Sequence, residues 1–159
     1  MDFMSNTPAW ATPAWVESVR EEGVVREPFA YSRAALVHEA DIGAVAAAVL
    51  TRGGHGGATL RLTGPEALTV PQQVAAISAA TGRDVRYAEL SEDEARVRML
   101  AEGRPARVAD FLIRWKRDMP AEGYTVVSTV EDVLGRPARS FALWAEEHAG
   151  RFISGAGTR

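Results

Sequence analysis

Residues 62–69, which read LTGPEALT, constrain the fold of this 159-residue chain more than any other stretch. Just before them, apolar and polar side chains alternate over residues 58–62, and this alternation predicts a short strand. Gly64 and Pro65 then indicate a turn, because these two residue types interrupt regular structure. The sequence therefore predicts a strand that ends in a turn at this point.

A helix is predicted to begin directly after that turn. Thr69 and Gln72 form a T-x-x-Q capping box, in which each side chain accepts a hydrogen bond from the other residue's backbone N–H. Pro71 fits the first turn of a helix, and Gly82 is a suitable stop after about Thr81. A strand, a turn and a capped helix in this order indicate an α/β fold.

Length and composition favour one ordinary globular domain. We expect a single domain over residues 1–153 and a frayed tail over residues 154–159. A net charge of -3 argues against nucleic acid as the main partner, since phosphate binding normally leaves a basic surface. The chain has no cysteine, so disulfides and thiolate metal sites are excluded. No leader or long apolar run is visible, which predicts a cytoplasmic protein without a membrane segment.

Two further helices are predicted in the first half. The tandem sequences TPAW at residues 7–10 and 12–15 place a Thr-Pro pair before a helix that should end at Gly23. Residues 34–37 suggest a short extended segment. Asp41 is the expected N-cap of the next helix, whose apolar stripe is Ile42, Val45, Ala46, Val49 and Leu50.

A strand and further helices are predicted in the second half of the chain. Residues 84–90 predict a second strand, and Ser91 with Glu94 forms another capping box, for a helix that reaches Glu102. Apolar stripes with helical spacing follow over residues 108–119 and 141–152, with a short helical turn between them at residues 128–131.

A local repeat, GRPAR, occurs at residues 103–107 and 135–139. Each copy lies where one helix should end and the next begin, and a terminating glycine followed by a starting proline explains it. Anion binding by the arginines is the alternative interpretation.

Several catalytic motifs are absent. Residues 38–42 begin like the zinc-protease motif, but Ile42 replaces the second histidine. The glycine-rich residues 53–57 lack the G-x-G-x-x-G spacing and lie between a helix and a strand, the reverse of the order that binds phosphate. None of the three tyrosines has a lysine four residues later, so no Tyr-x-x-x-Lys pair exists. His148 is expected to be a packed or boundary residue, and His55 a solvated turn residue.

Four segments, in the same order along the chain, resemble the carboxyl-terminal half of the NmrA-like family, a branch of the atypical short-chain dehydrogenase/reductases. Residues 3–6 resemble its Phe-Met-x-Asn segment, and residues 41–46 its Asp-Ile-Ala-x-Val-Ala helix start. Residues 62–69 resemble its Leu-Thr-Gly-Pro-Glu-x-Leu-Thr turn. Residues 135–141 resemble its closing Gly-Arg-Pro-x-x-x-Phe helix, with Trp144 and Phe152 after it.

This resemblance implies the carboxyl-terminal portion of a Rossmann-like NAD(P)-binding fold, helix-rich with a few short strands. It also implies NAD or NADP as cofactor, no metal, and hydride transfer to a quinone or a related small-molecule acceptor. In the family the Phe-Met-x-Asn segment borders the nicotinamide and substrate pocket, so Phe3, Met4 and Asn6 are the expected pocket residues. A packed loop without a binding role is the alternative for these three residues. The catalytic residues are unknown.

The chain departs from the family pattern because the glycine-rich nucleotide-binding half is absent from its sequence. We therefore expect a truncated or split reductase, inactive alone, whose partner is an amino-terminal Rossmann half. A non-enzymatic dinucleotide-sensing or protein-interaction module on the same scaffold is the alternative. If residues 58–62 form a sheet edge, their neighbour is missing, and we expect a homo-oligomer, a partner-dependent chain or poor solubility.

Overall fold

The computed structural model of the protein describes residues 13–153, which form eight α-helices, one short 3-10 helix and four short strands. In chain order these elements are α1 (Pro13–Glu22), β1 (Val24–Pro28), β2 (Arg33–Ala34), α2 (Glu39–Arg52), β3 (Leu68–Thr69), α3 (Val70–Thr81), β4 (Arg86–Leu90), α4 (Glu92–Ala101), α5 (Ala106–Arg117), the 3-10 helix (Ala121–Gly123), α6 (Thr129–Leu134), α7 (Phe141–Glu147) and α8 (Ala149–Phe152). Within this range no helix is both long enough and apolar enough to cross a membrane.

Two small sheets connect the helices. β1 and β4 are parallel, with Val24 opposite Arg86 and Pro28 opposite Leu90. β2 and β3 are antiparallel, and Arg33 lies opposite Thr69. A parallel pair needs a long crossover connection, and here that connection contains both α2 and α3. The helix-rich α/β architecture agrees with the predicted fold class.

The hydrophobic core lies between α3, the carboxyl-terminal helices and the strands. Aromatic side chains dominate its centre, because the predicted stripe of residues 141–152 faces inward. Phe141, Trp144 and Phe152 are each at most 1% exposed, and Trp144 lies 5.3 Å and 6.3 Å from the other two ring centroids. The stripe is divided into α7 and α8, with His148 between them.

Both predicted capping boxes are confirmed. The Thr69 hydroxyl accepts from the Gln72 N–H at 3.3 Å, and the Gln72 side chain accepts from the Thr69 N–H at 2.8 Å. Ser91 and Glu94 repeat this arrangement at the start of α4. Gly82 adopts the left-handed conformation that ends α3, with φ of 64°. These signals are local, so the residues that create them are sufficient to predict them.

The strand predicted over residues 58–62 is wrong. This segment pairs with no other strand among residues 13–153, and the only strand near it is the two-residue β3. A strand is defined by hydrogen bonds to a neighbour, which alternation of side chains along one segment cannot supply. Residues 58–62 are therefore backbone without a sheet partner in the described part of the chain.

The turn that follows is tightly packed. The Thr63 hydroxyl accepts from the Val127 N–H at 3.0 Å, and the Thr63 side chain is buried. A Cβ atom on Gly64 would overlap the carbonyl oxygen of Leu36. Glycine is needed at this position because two backbone segments approach each other there.

The predicted start of α2 is also wrong. The N-cap is His38 rather than Asp41, and its Nδ1 accepts from the Ala40 N–H at 3.1 Å. Asp41 lies inside the first turn and is fully buried. Its carboxylate is used for a tertiary contact instead, which local capping rules do not anticipate.

Candidate functional site

A cleft of about 490 Å³ opens between the loop that follows β1 and the carboxyl-terminal end of α5. Its volume lies within the range of small-molecule sites. The lining combines apolar and polar surface and includes two phenols and three cationic side chains. The lining residues are Tyr31, Ser32, Arg33, Lys116, Arg117, Asp118, Met119 and Tyr124.

The first wall of the cleft begins at a strained turn. Phe29 has a φ of 62°, and no other non-glycine residue in the described range has a positive φ. Such a conformation costs of the order of 1–3 kcal/mol and must be held by its surroundings. The Ala30 N–H donates to Glu89 Oε1 at 2.8 Å, and the Ser32 N–H donates to the Phe29 carbonyl at 3.0 Å. The turn leaves Tyr31 at the cleft, 62% exposed.

Ion pairs fix the second wall. Lys116 pairs with Glu27 of β1, and Glu27 also accepts from the Trp15 indole N–H at 2.8 Å. Arg117 pairs with Glu92, at the start of α4, at 2.9 Å. These contacts hold the end of α5 against β1 and α4, so both basic residues have structural roles at the cleft.

Two further contacts hold the walls at a fixed separation. The Tyr31 hydroxyl donates to the Arg117 carbonyl at 3.4 Å. The Ala35 N–H donates to the Gly123 carbonyl at 3.0 Å, which places the 3-10 helix beside β2 and brings Tyr124 to the cleft. The cleft is therefore built by elements that are distant in sequence.

Tyr87, on β4, is a structural donor. Its hydroxyl donates to the Glu27 carbonyl at 2.7 Å. Burial, together with the charges of Glu89 and Glu27, raises the pKa of Tyr87 to about 12. The phenol therefore stays protonated at neutral pH, and a raised pKa makes it a poorer proton donor to substrate.

The lining residues are suited to binding and orienting a ligand. Hydroxyl, ammonium and guanidinium groups are hydrogen-bond donors for carbonyl or anionic oxygens. Within the described part of the chain, no histidine lines the cleft. Among residues 13–153 no cluster of three or more histidine or acidic side chains could hold a metal ion.

His38, the N-cap of α2, and His148, between α7 and α8, lie away from the cleft. His38 is 2% exposed, and its Nε2 lies 3.1 Å from Glu147. Because its Nδ1 accepts a backbone N–H, its Nε2 carries the proton and donates to that carboxylate. His148 stacks on Trp144 with ring centroids 4.7 Å apart, which confirms that it is a packed residue.

The second GRPAR copy binds an internal carboxylate. Arg136 donates to Asp41 at 2.7 Å, Arg139 pairs with it, and the Arg139 N–H donates to its second oxygen at 2.7 Å. Burial alone would raise the pKa of Asp41, but the hydrogen bonds from Arg139 and Arg136 outweigh this effect and lower it. These arginines already have an anionic partner, so the anion-binding alternative does not apply to an external ligand at this copy.

The described residues do not fit the pyrophosphate of a dinucleotide. The glycine-rich residues 53–57 follow α2 and lead into residues 58–62, which are neither helix nor strand. A pyrophosphate site needs backbone N–H groups at a helix N-terminus, and the next helix, α3, begins only at Val70.

Sequence reasoning missed the cleft. Phe3, Met4 and Asn6, the predicted pocket residues, lie outside residues 13–153, and their role stays a prediction. In the sequence, Tyr31 and Tyr124 belong to no Tyr-x-x-x-Lys pair, and no other motif gives them a role. The sequence does contain a signal for Tyr31: Pro28, Phe29 and Tyr31 form a proline- and aromatic-containing loop between two extended segments. Binding residues are common on loops of this kind.

Comparisons with known proteins identify the lineage. The chain is 40% identical over 150 residues to a (4-alkanoyl-5-oxo-2,5-dihydrofuran-3-yl)methyl phosphate reductase of Streptomyces griseus, covering 94% of this chain and 51% of that protein. It is 36% identical over 151 residues to an NAD(P)H azoreductase of Xenophilus azovorans, with the same coverage. The chain thus spans about half the length of these curated relatives. No protein-family model matches it.

Solved structures of other proteins share the fold of this chain. An NADPH-dependent quinone oxidoreductase of Escherichia coli, in complex with NADPH, superposes with a TM-score of 0.73 at 26% identity, covering 92% of this chain and 50% of that one. A nucleoside-diphosphate-sugar epimerase of Staphylococcus aureus shares the fold, with a TM-score of 0.72 at 12% identity, 92% coverage of this chain and 50% of that one. These matches agree with the resemblance to the carboxyl-terminal half of the NmrA-like family, and the described residues have the fold of the carboxyl-terminal portion of NAD(P)-binding reductases.

Proposed function

We propose that this chain forms the acceptor-binding half of an NAD(P)H-dependent oxidoreductase. The observation that carries the proposal is the cleft, a preformed ligand-sized site in a chain whose curated relatives are reductases. Loops held on a rigid scaffold are the usual position for binding residues, and the Phe29 turn and the end of α5 match that description.

The nicotinamide cofactor, NADPH or NADH, would be held largely by residues other than these 159. Neither the sequence nor residues 53–57 offers a pyrophosphate loop, so a Rossmann half in the same polypeptide or in another one must supply it. Residues 58–62, without a sheet partner here, are suited to pair with a strand of that half. The remaining predictions, a cytoplasmic location and pocket roles for Phe3, Met4 and Asn6, fit this assignment.

The acceptor is expected to be a small conjugated molecule. The names of the relatives specify an unsaturated furanone phosphate, an azo compound and a quinone. Tyr31, Tyr124 and Met119 present flat or polarisable groups to the cleft, and such groups favour contact with conjugated rings. A quinone is therefore a reasonable first acceptor.

The test measures NADPH oxidation by the purified chain combined with a nucleotide-binding half, with the quinone menadione as acceptor. The proposal predicts oxidation that requires both halves. Replacing Tyr31 or Tyr124 by Leu should raise the KM for menadione about three- to tenfold, since each lost aromatic contact weakens acceptor binding.

Phe111→Leu is the matched control, because Phe111 is 49% exposed on α5 and does not line the cleft. It should leave the KM unchanged. NADPH binding without oxidation would favour the sensing alternative, and absence of both would refute the oxidoreductase assignment.

A further inference from the structure

Three of the side chains that line the cleft are cationic. They are Arg33, Lys116 and Arg117, and among residues 13–153 Asp118 is the only acidic residue in the lining. The whole chain has a net charge of -3, so the positive charge is a local property of the cleft. A cationic side chain in the cleft attracts an anion only if no carboxylate of the chain already neutralises it.

Two of the three cations are already neutralised. Lys116 pairs with Glu27, while Arg117 pairs with Glu92 at 2.9 Å and with Asp118 at 3.3 Å. Both lie in the last turn of α5, where basic residues also complement the helix dipole. Their positions are thus explained without a ligand.

Arg33 is different. Its guanidinium makes no hydrogen bond or ion pair with any residue between 13 and 153. β2 fixes its direction: Arg33 pairs with Thr69, and because side chains alternate along a strand, the inward position belongs to Ala34, which is 9% exposed. Arg33 is exposed on the opposite face and lines the cleft.

We propose that Arg33 recognises a phosphate monoester on the acceptor, an inference that rests on the cleft being the acceptor site. A guanidinium binds phosphate through paired N–H donors. Ser32 and Tyr124, which line the same cleft, add two hydroxyl donors. A phosphate has three terminal oxygens, enough to accept from all three side chains.

The test is an NMR titration of the purified, isotope-labelled chain with phenyl phosphate, and with benzyl alcohol as the uncharged control. Phenyl phosphate should shift the amide resonances of residues 29–34 and 119–124, and benzyl alcohol should bind far more weakly. Arg33→Gln should weaken phenyl phosphate binding about tenfold, because a hydrogen bond to a charged group is lost.

Two variants separate this role from a general effect of charge or folding. Arg107→Gln removes one exposed arginine of α5 that does not line the cleft, and it should leave the affinity unchanged. Arg33→Lys keeps the charge and should lose less affinity than Arg33→Gln. Equal affinity in the wild type and Arg33→Gln, or no binding of phenyl phosphate at all, would overturn the proposal.

The phosphate could instead belong to NADPH, and adenosine 2′-monophosphate tests that source. Binding of this nucleotide that depends on Arg33 and equals or exceeds that of phenyl phosphate would also overturn the assignment to the acceptor. The titration contains no cofactor and no reduction step. Failure of the NADPH oxidation assay would therefore leave a positive titration intact, and the two proposals can fail separately.

Discussion

Asp41 joins the start of α2 to the segment before α7. It is fully buried and accepts hydrogen bonds from Arg136 and Arg139. Asp41→Asn removes the charge and leaves both guanidinium groups with a weaker partner. We expect a loss of about 2–3 kcal/mol in the free energy of unfolding by urea. Asp84→Asn, at an exposed position, is the control and should change stability little.

The same substitution should alter the pH dependence of stability. The pKa of Asp41 is lowered in the folded protein from its ordinary value of 3.8, so its contribution is present above that value and is lost as the pH falls through the folded pKa. The stability difference between wild type and Asp41→Asn should be constant near neutral pH and shrink below about pH 4. A difference that is independent of pH would contradict this account of Asp41.

Gly64 allows the closest approach of two backbone segments in the 62–69 turn. Gly64→Ala places a methyl group on the Leu36 carbonyl oxygen, and relieving the overlap should cost at least about 2 kcal/mol in stability. Gly43→Ala is the matched control, because Gly43 is inside α2 and an added methyl group there would have no neighbour within 4 Å. It should stabilise the protein by about 0.5–1 kcal/mol, as alanine is the better helix former. The free energy of unfolding of both variants, measured by chemical denaturation, tests these two expectations.

At the scale of elements, the capped start of α3 also fixes part of the cleft. Thr69 caps α3 through its side chain and pairs through its backbone with Arg33. Thr69→Ala should lower the thermal stability by about 1 kcal/mol, since the Gln72 N–H loses its acceptor. Thr69→Ser should restore most of the loss. A full loss in the serine variant would show that the hydroxyl is not the important group.

The elements that could be predicted from sequence are those determined by neighbouring residues. The capping boxes at Thr69 and Ser91 and the helix end at Gly82 each depend on residues within a few positions of one another. The local amino-acid sequence is therefore enough to predict them. Two predictions were wrong because the structure at those positions depends on residues that are distant in sequence. The strand over residues 58–62 would need a ladder neighbour, and Asp41 binds two arginines instead of capping α2. The cleft was missed for the same reason, since Tyr31 and Lys116 meet only in the folded chain.

At the scale of the whole molecule, unpaired backbone and exposed apolar side chains predict self-association of the isolated chain. Residues 58–62 have no ladder partner within the described range, and Leu50 on α2 is 85% exposed. Backbone without a ladder partner and exposed apolar surface both favour contact with another chain. Sedimentation velocity of the purified chain should show oligomers that dissociate when a nucleotide-binding half is added. A monodisperse monomer with a cooperative melting transition would contradict this prediction.

The central claim is that the acceptor binds between the Phe29 turn and the carboxyl-terminal end of α5. The most direct test is to locate menadione on the purified chain by NMR. The claim predicts that amide shifts cluster at residues 29–34 and 116–124 and decrease in Tyr31→Leu. Shifts centred on any other part of the chain, or equal shifts in Tyr31→Leu and the Phe111→Leu control, would contradict it.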